Sequence, residues 1–160
     1  MSFDFVRKKE CFNLDYQTWW VFIMLAMGCG WEPTGTGPPR GVAAKKWPGG
    51  YFSNDGQLLY ARDAKRLAHT IEKVIAAPSL SALQIDVSRA SRWLRSRAGR
   101  QDLCVHRSFE KFVRVVNASG SVKKKRRAPN NSRPWLLSRN AKSSMRDFVK
   151  FCRGGSFRVY

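Results

Sequence analysis

Residues 51–77, YFSNDGQLLYARDAKRLAHTIEKVIAA, combine a tight turn with the most regular helix pattern in the chain. The turn is Ser53-Asn54-Asp55-Gly56, whose Asn, Asp and Gly residues tolerate positive φ, and Gly56 is expected to adopt it. Gln57-Leu58-Leu59-Tyr60 is predicted to return as a strand against Tyr51-Phe52. A helix is then predicted over about residues 61–77, because apolar residues recur at helical spacing: Ala64, Leu67, Ala68, Ile71, Val74 and Ile75.

Four further helices are predicted around this unit. The first, over about residues 16–27, is apolar nearly all round and should be buried, with Asn13 or Asp15 as its N-cap. The other three cover about residues 82–98, 105–117 and 141–153. The apolar positions expected to form one shared core are Trp20, Ile23, Met24, Met27, Leu67, Ile71, Ile75, Phe148 and Cys152.

The predicted fold is one domain spanning residues 1–160. It is mainly α, with four to five helices and a small β-hairpin or short C-terminal strand. A compact α+β unit results if the hairpin at 51–60 pairs with the tail at 156–160. Residues 118–134 lack an apolar period and contain the basic run Lys123 to Arg127, so they are predicted to be a mobile basic insert.

Positive charge is the most unusual property of the composition. The chain has 30 Lys/Arg against 11 Asp/Glu, a net charge of +19. Residues 1–78 hold ten Lys/Arg and seven Asp/Glu, whereas residues 79–160 hold twenty and four. A positive field of this size attracts polyanions such as nucleic acid, anionic lipid or an acidic protein.

No pattern for catalysis, a cofactor or a metal stands out. The four cysteines have no short spacing, and the two histidines do not complete a zinc pattern. Cys104 and His106 are near each other in sequence only, and Asp55 and Asp63 are explained by a turn and a helix start. We therefore predict a non-enzymatic protein with no metal and no cofactor.

The compartment is predicted from the same residues. The apolar run at residues 19–27 is far shorter than the ~20 residues of a membrane span and has no cleavage site, so neither a span nor a signal peptide is expected. Scattered cysteines fit free thiols in a reducing compartment. The predicted location is the cytoplasm.

Three segments together resemble a group of small bacterial proteins of unknown function. They are Gly30-Trp31-Glu32-Pro33, then Tyr51-Phe52-Ser53-Asn54-Asp55-Gly56-Gln57 with Ala61-Arg62-Asp63-Ala64-Lys65 behind it, and finally Phe148-Val149-Lys150-Phe151-Cys152-Arg153-Gly154-Gly155-Ser156-Phe157. The resemblance covers roughly residues 16–77 and 141–160 and implies no activity. One position departs from the pattern: Tyr60 stands where a Thr would cap the helix, while Asp63 keeps the acid of the capping box.

Two classes of function fit these features. The first is sequence-nonspecific binding of nucleic acid or another polyanion through the basic half of the chain, with these candidate residues: Arg89, Arg92, Arg95, Lys123, Lys124, Lys125, Arg126 and Arg127. The second is a protein-interaction module, an immunity-like or regulatory partner of an acidic protein. A solvated basic surface with no binding role is the plain alternative to both.

The turn formed by Asn54, Asp55, Gly56 and Gln57 is a separate candidate, for specific recognition of a partner. The alternative is that these residues serve the geometry of the turn alone. The oligomeric state is left open.

Overall fold

The computed structural model describes residues 2–78, 83, 85–86 and 139–160. Within these residues, four strands and three α-helices are found, with one turn of 3₁₀ helix at Ala44–Lys46. In chain order the elements are β1 (Ser2–Arg7), β2 (Glu10–Asp15), α1 (Tyr16–Gly28), β3 (Gln57–Leu59), α2 (Ala61–Ala76), α3 (Arg139–Arg153) and β4 (Phe157–Val159).

The four strands form one antiparallel sheet in the order β2-β1-β4-β3. Phe5 of β1 lies opposite Phe12 of β2 on one side and opposite Val159 of β4 on the other. The prediction of a mainly α fold is therefore wrong. The protein is α+β with a substantial sheet, since the helices pack on a four-stranded layer rather than on each other alone.

The error comes from the first hairpin, because no strand is predicted from the sequence over residues 1–12. The strand period is present, since Phe3 and Phe5 are buried while their neighbours are more exposed. The turn signal is missing, because the connection is Lys8-Lys9 and contains no Gly, Asn, Asp or Pro. Lys8 takes the positive φ of 52° that a glycine would adopt with less strain.

The three described helices lie close to their predicted positions. Asp15 is the N-cap of α1, and its carboxylate accepts from the backbone N–H of Thr18 at 2.9 Å. α1 is buried over most of its surface, as its apolar composition predicts. The predicted helices over residues 82–98 and 105–117, and the predicted insert 118–134, lie outside the described residues.

The predicted core is confirmed with one exception. Eight of the nine predicted side chains are buried, and Ile75 is partly buried against the same cluster. Phe5 links the sheet to the helices, because its ring contacts those of Trp19 in α1 and Phe148 in α3. α2 packs against both α1 and α3, as expected.

The predicted hairpin over residues 51–60 is not formed, because Tyr51-Phe52 is not a strand. The backbone carbonyl of Tyr51 instead accepts from Trp19 Nε1 at 2.7 Å. β3 pairs with β4 on one side and meets Gly37 through an isolated bridge to Leu58 on the other. Pairing of this region with the tail is therefore confirmed, for residues 57–59 with residues 157–159.

Candidate functional site

In the turn at Asn54–Gln57, the last two residues are buried and maintain the turn, whereas the first two are exposed. Gln57 is fully buried, and its side chain closes the turn by accepting from Asp55 N at 3.1 Å and donating to the carbonyl of Ser53. Gly56 has a φ of +86°, as predicted, and its N–H donates to the Val159 carbonyl at 2.7 Å. Asn54 and Asp55 are exposed and remain the part of this turn that can contact a partner.

Behind the turn, Tyr51 and Asp63 form a buried polar pair. Asp63 lies in the first turn of α2 and is completely buried. Its Oδ2 accepts from the Tyr51 hydroxyl and from the backbone N–H of Thr34 at 3.2 Å. The Tyr51 oxygen in turn accepts from Gly35 N at 2.9 Å. Asp63 is therefore more than the helix-start charge expected from the sequence, because it ties the loop after α1 to α2.

This pair is built for structure rather than for proton transfer to a substrate. Burial raises the pKa of Tyr51 far above its ordinary value, and the charge and hydrogen bond of Asp63 raise it further. Such a hydroxyl stays protonated and donates steadily. Both residues are buried, so a substrate has no direct access to either of them in this conformation.

The first two segments of the resemblance meet at this pair, since Tyr51 and Asp63 belong to the second. Trp31 packs edge-on against Tyr51, with ring centroids 5.3 Å apart. In the second segment, the N–H of Gly56 donates to the carbonyl of Val159, two residues after the end of the third segment. Tyr60 makes no side-chain capping hydrogen bond, so the departure from the capping box is visible in the structure. The first and second segments thus join the loop after α1 to α2, and the second also contacts β4.

A separate surface is formed by the exposed side of α2. Arg62, Lys65, Arg66 and Lys73 are all exposed, as is His69 between them. Their spacing places them on one face of the helix, opposite the buried Leu67 and Ile71.

α3 carries a second row of cations. Lys142, Arg146, Lys150 and Arg153 follow each other at intervals of four, four and three residues, which is the spacing of one helix face. Arg146, Lys150 and Arg153 are exposed, and Lys142 is partly so. Lys150 lies 3.7 Å from Asp147 on the same helix.

Two contacts join the rows of α2 and α3 into one surface. Arg153 forms an ion pair with Glu72 of α2 at 2.6 Å. Lys142 Nζ donates to the carbonyls of Ile75 and Ala77 at the end of α2, at 3.2 and 3.4 Å. We call this surface the basic face. It presents eight cations, with Glu72 and Asp147 as the carboxylates alongside: Arg62, Lys65, Arg66, Lys73, Lys142, Arg146, Lys150 and Arg153.

The basic residues named from the sequence are not part of this face. Arg89, Arg92, Arg95 and the run Lys123, Lys124, Lys125, Arg126 and Arg127 all lie outside the described residues. The basic face itself was not identified from the sequence. Its signal was available, since cations three or four residues apart recur on the polar side of two amphipathic helices.

Other candidate chemistry is sparse in the part of the chain that the structure describes. Cys11, Cys29 and Cys152 are free thiols there, and burial raises the pKa of Cys152 well above its usual value. No cluster of three or more His, Cys, Asp or Glu side chains able to hold a metal ion occurs among these residues. None of the helices described is both long enough and apolar enough to cross a membrane.

Comparisons of the chain with protein-family models, with curated proteins and with solved structures find no match.

Proposed function

We propose that the protein is a non-enzymatic binder of polyanions and that nucleic acid, bound without sequence preference, is its ligand. The observation that supports this is the basic face. Eight cations lie on the outer sides of two packed helices, with two carboxylates among them. Clustered Lys and Arg side chains bind phosphates chiefly through charge, and this term is independent of sequence.

The cations of the basic face stand on a rigid support. α2 and α3 bury their opposite sides in the core, through Leu67, Ile71 and Phe148 among others. The helix backbones that carry the cations are therefore fixed relative to one another before a ligand arrives, which reduces the ordering cost of binding. Mutual repulsion among them is relieved when phosphates approach and bound counterions leave. We place this binding in the cytoplasm, where free thiols stay reduced.

The experiment is a salt titration of binding to a labelled nucleic acid, followed by fluorescence anisotropy. Wild-type affinity should fall steeply as salt rises, with log Kd changing by roughly 0.9 per decade of salt for each phosphate contact on a duplex. Replacing Arg62, Lys65 and Arg66 with Gln should weaken binding and flatten the slope.

The loop between α1 and β3 supplies a matched control. Arg40, Lys45 and Lys46 are exposed there and lie on neither helix. Replacing these three with Gln removes the same amount of charge from the protein. If the control lowers affinity as much as the α2 variant, net charge rather than the basic face is responsible.

An acidic protein partner is the second candidate, because the same cations would attract carboxylates. The two are separated by a pull-down from lysate with and without nuclease treatment. Loss of the captured partners on nuclease treatment favours nucleic acid. Partners that are retained, together with absence of nucleic-acid binding at low salt, would replace the lead proposal with the protein-interaction module.

A further inference from the structure

We infer that His69 makes the basic face sensitive to pH, so that the face binds nucleic acid more tightly as the pH falls. This rests on the proposed function and adds a control on the same site. His69 is exposed on the outer side of α2. Lys65 and Lys73 lie four residues before and after it, and Arg66 lies three before, which places their β-carbons about 5–6 Å from its own. A phosphate held by these cations is therefore within reach of the imidazole ring.

The outer side of α2 surrounds His69 with fixed positive charge. Lysine and arginine stay charged over the range of about pH 5 to 8 in which histidine ordinarily gains its proton. A neutral His69 adds nothing to the charge of the basic face, whereas a protonated one adds a further cation within the α2 row. The number of cations that a phosphate meets there therefore depends on pH.

The carboxylates near His69 in the described part of the chain are already engaged with other cations. Glu72, three residues after His69, is paired with Arg153 of α3 at 2.6 Å. On α3, Asp147 lies 3.7 Å from Lys150. The other charged side chains described on that helix are Lys142 and Arg146. His69 is therefore open to an external anion.

α1, the other helix that packs against α2, brings no charge to this side. Its residues Tyr16–Gly28 include no Asp, Glu, Lys, Arg or His. Burial raises the pKa of the Cys29 thiol directly after α1, against the opposing charge of Lys73, so the thiol stays neutral over this pH range. Asp63 lies on the buried face of α2, away from the cations.

Binding and protonation consequently favour each other. In the free protein, the neighbouring cations oppose a further positive charge on His69. Bound phosphates cancel that repulsion and attract the imidazolium. Because such coupling is reciprocal, protonation of His69 strengthens binding by the same factor by which binding favours protonation.

The test follows binding of a labelled DNA duplex to the full chain by fluorescence anisotropy. Ionic strength is held constant while the pH is lowered from about 8 to about 5.5. We expect binding to be about three-fold tighter at the lower pH, the effect of one exposed ion pair. The salt slope should be steeper there by up to about 0.9. Isothermal titration calorimetry near neutral pH, in two buffers of different ionisation enthalpy, should show net proton uptake on binding.

Three variants locate the response. His69→Gln should bind at every pH with about the affinity that wild type shows at the highest pH, and it should take up no protons. His69→Lys should bind tightly throughout the range. His106→Gln removes the other histidine of the chain, which lies outside the described residues, and as the matched control it should retain the full response.

The inference is overturned if wild-type affinity is independent of pH, if His69→Gln retains the response, or if His106→Gln abolishes it. It is also overturned if His69→Gln weakens binding equally at both ends of the range, since the ring would then act without regard to its charge.

Failure of the inference is distinguishable from failure of the proposed function. Binding that does not change with pH would refute the inference and leave nucleic-acid binding standing. No binding of the duplex at low salt at any pH would refute both.

Discussion

The sixteen residues of α2 divide into an inner face that packs in the core and an outer face that is exposed to water. The inner face is almost dry: Asp63, Ala64, Leu67 and Ala68 are fully buried, and Asp63 is held by hydrogen bonds from two directions. The outer face carries Arg62, Lys65, Arg66 and Lys73 in water. Changes on the inner face are therefore expected to alter stability, and changes on the outer face to alter binding.

Asp63 and the cations of α2 show why one face can determine stability while the other remains free to change. Burying a carboxylate is costly unless it is hydrogen-bonded, and Tyr51 and Thr34 supply that compensation at Oδ2 of Asp63, whereas its buried Oδ1 has no hydrogen-bond partner in the described part of the chain. The lysines and arginines remain exposed, so they keep their hydration and contribute little to folding. This separation is the property that the following variants test.

The largest effect is expected from Leu67→Ala. Leu67 is fully buried between α2 and the core, and its loss should lower the free energy of unfolding by about 2–5 kcal/mol through lost burial and a cavity. Arg66→Ala, one residue earlier and exposed, should change it by less than about 0.5 kcal/mol. Urea unfolding monitored by tryptophan fluorescence gives both values. Equal values for the two variants would contradict the packing described here.

A smaller loss is expected from Asp63→Ala. It leaves the buried Tyr51 hydroxyl without its acceptor, at a cost of about 1–3 kcal/mol, and it also removes the acceptor of the N–H of Thr34, an exposed residue whose N–H can bond to water instead. Asp63→Asn retains a side-chain oxygen and should lose less than Asp63→Ala in the same unfolding experiment. If Asn is as damaging as Ala, the negative charge of Asp63, rather than its capacity to accept, is what the loop requires.

The smallest effect on stability is expected from the outer face. The combined change of Arg62, Lys65 and Arg66 to Gln should leave Tm within about 2 °C of wild type, or raise it slightly by relieving repulsion in a chain of net charge +19. Thermal denaturation followed by circular dichroism measures this. A decrease in Tm of more than about 5 °C would show that these cations stabilise the fold, which would contradict the assignment of stability to the inner face alone.

The helices could be predicted from the sequence because their signals are local. Apolar residues three and four apart define α2 and α3, a nearly continuous apolar run defines α1, and the residues Asn54-Asp55-Gly56 mark the turn because they tolerate positive φ. The hairpin of β1 and β2 could not be recognised, since Lys8 occupies a conformation normally assigned to glycine. Contacts with α3 help to fix the turn. The guanidinium of Arg7, the last residue of β1, lies over the Phe151 ring and donates to the backbone carbonyl of Phe151 at 2.5 Å.

The candidate site was less predictable for a different reason. Each row of cations is visible in the sequence, but a single basic helix side is indistinguishable from an ordinary solvated surface. The two rows form one surface only because α2 and α3 pack together, through apolar side chains of the shared core and through Lys142, which donates to carbonyls more than sixty residues away in sequence. Likewise, nothing local links Asp63 to Tyr51 and Thr34, because the loop between α1 and β3 has no periodic pattern.

The position of β4 in the sheet has a consequence for how the chain is made. β4 pairs with β1 on one side and β3 on the other, although it follows both in sequence. During synthesis on the ribosome, the edges of β1 and β3 that pair with β4 therefore keep unpaired backbone N–H and C=O groups until residues 157–159 emerge. Open edges recruit other strands, so nascent chains stopped before this point should be prone to aggregate and to engage chaperones. Completion of the sheet is thus a late step that joins distant parts of the chain, which favours slow folding.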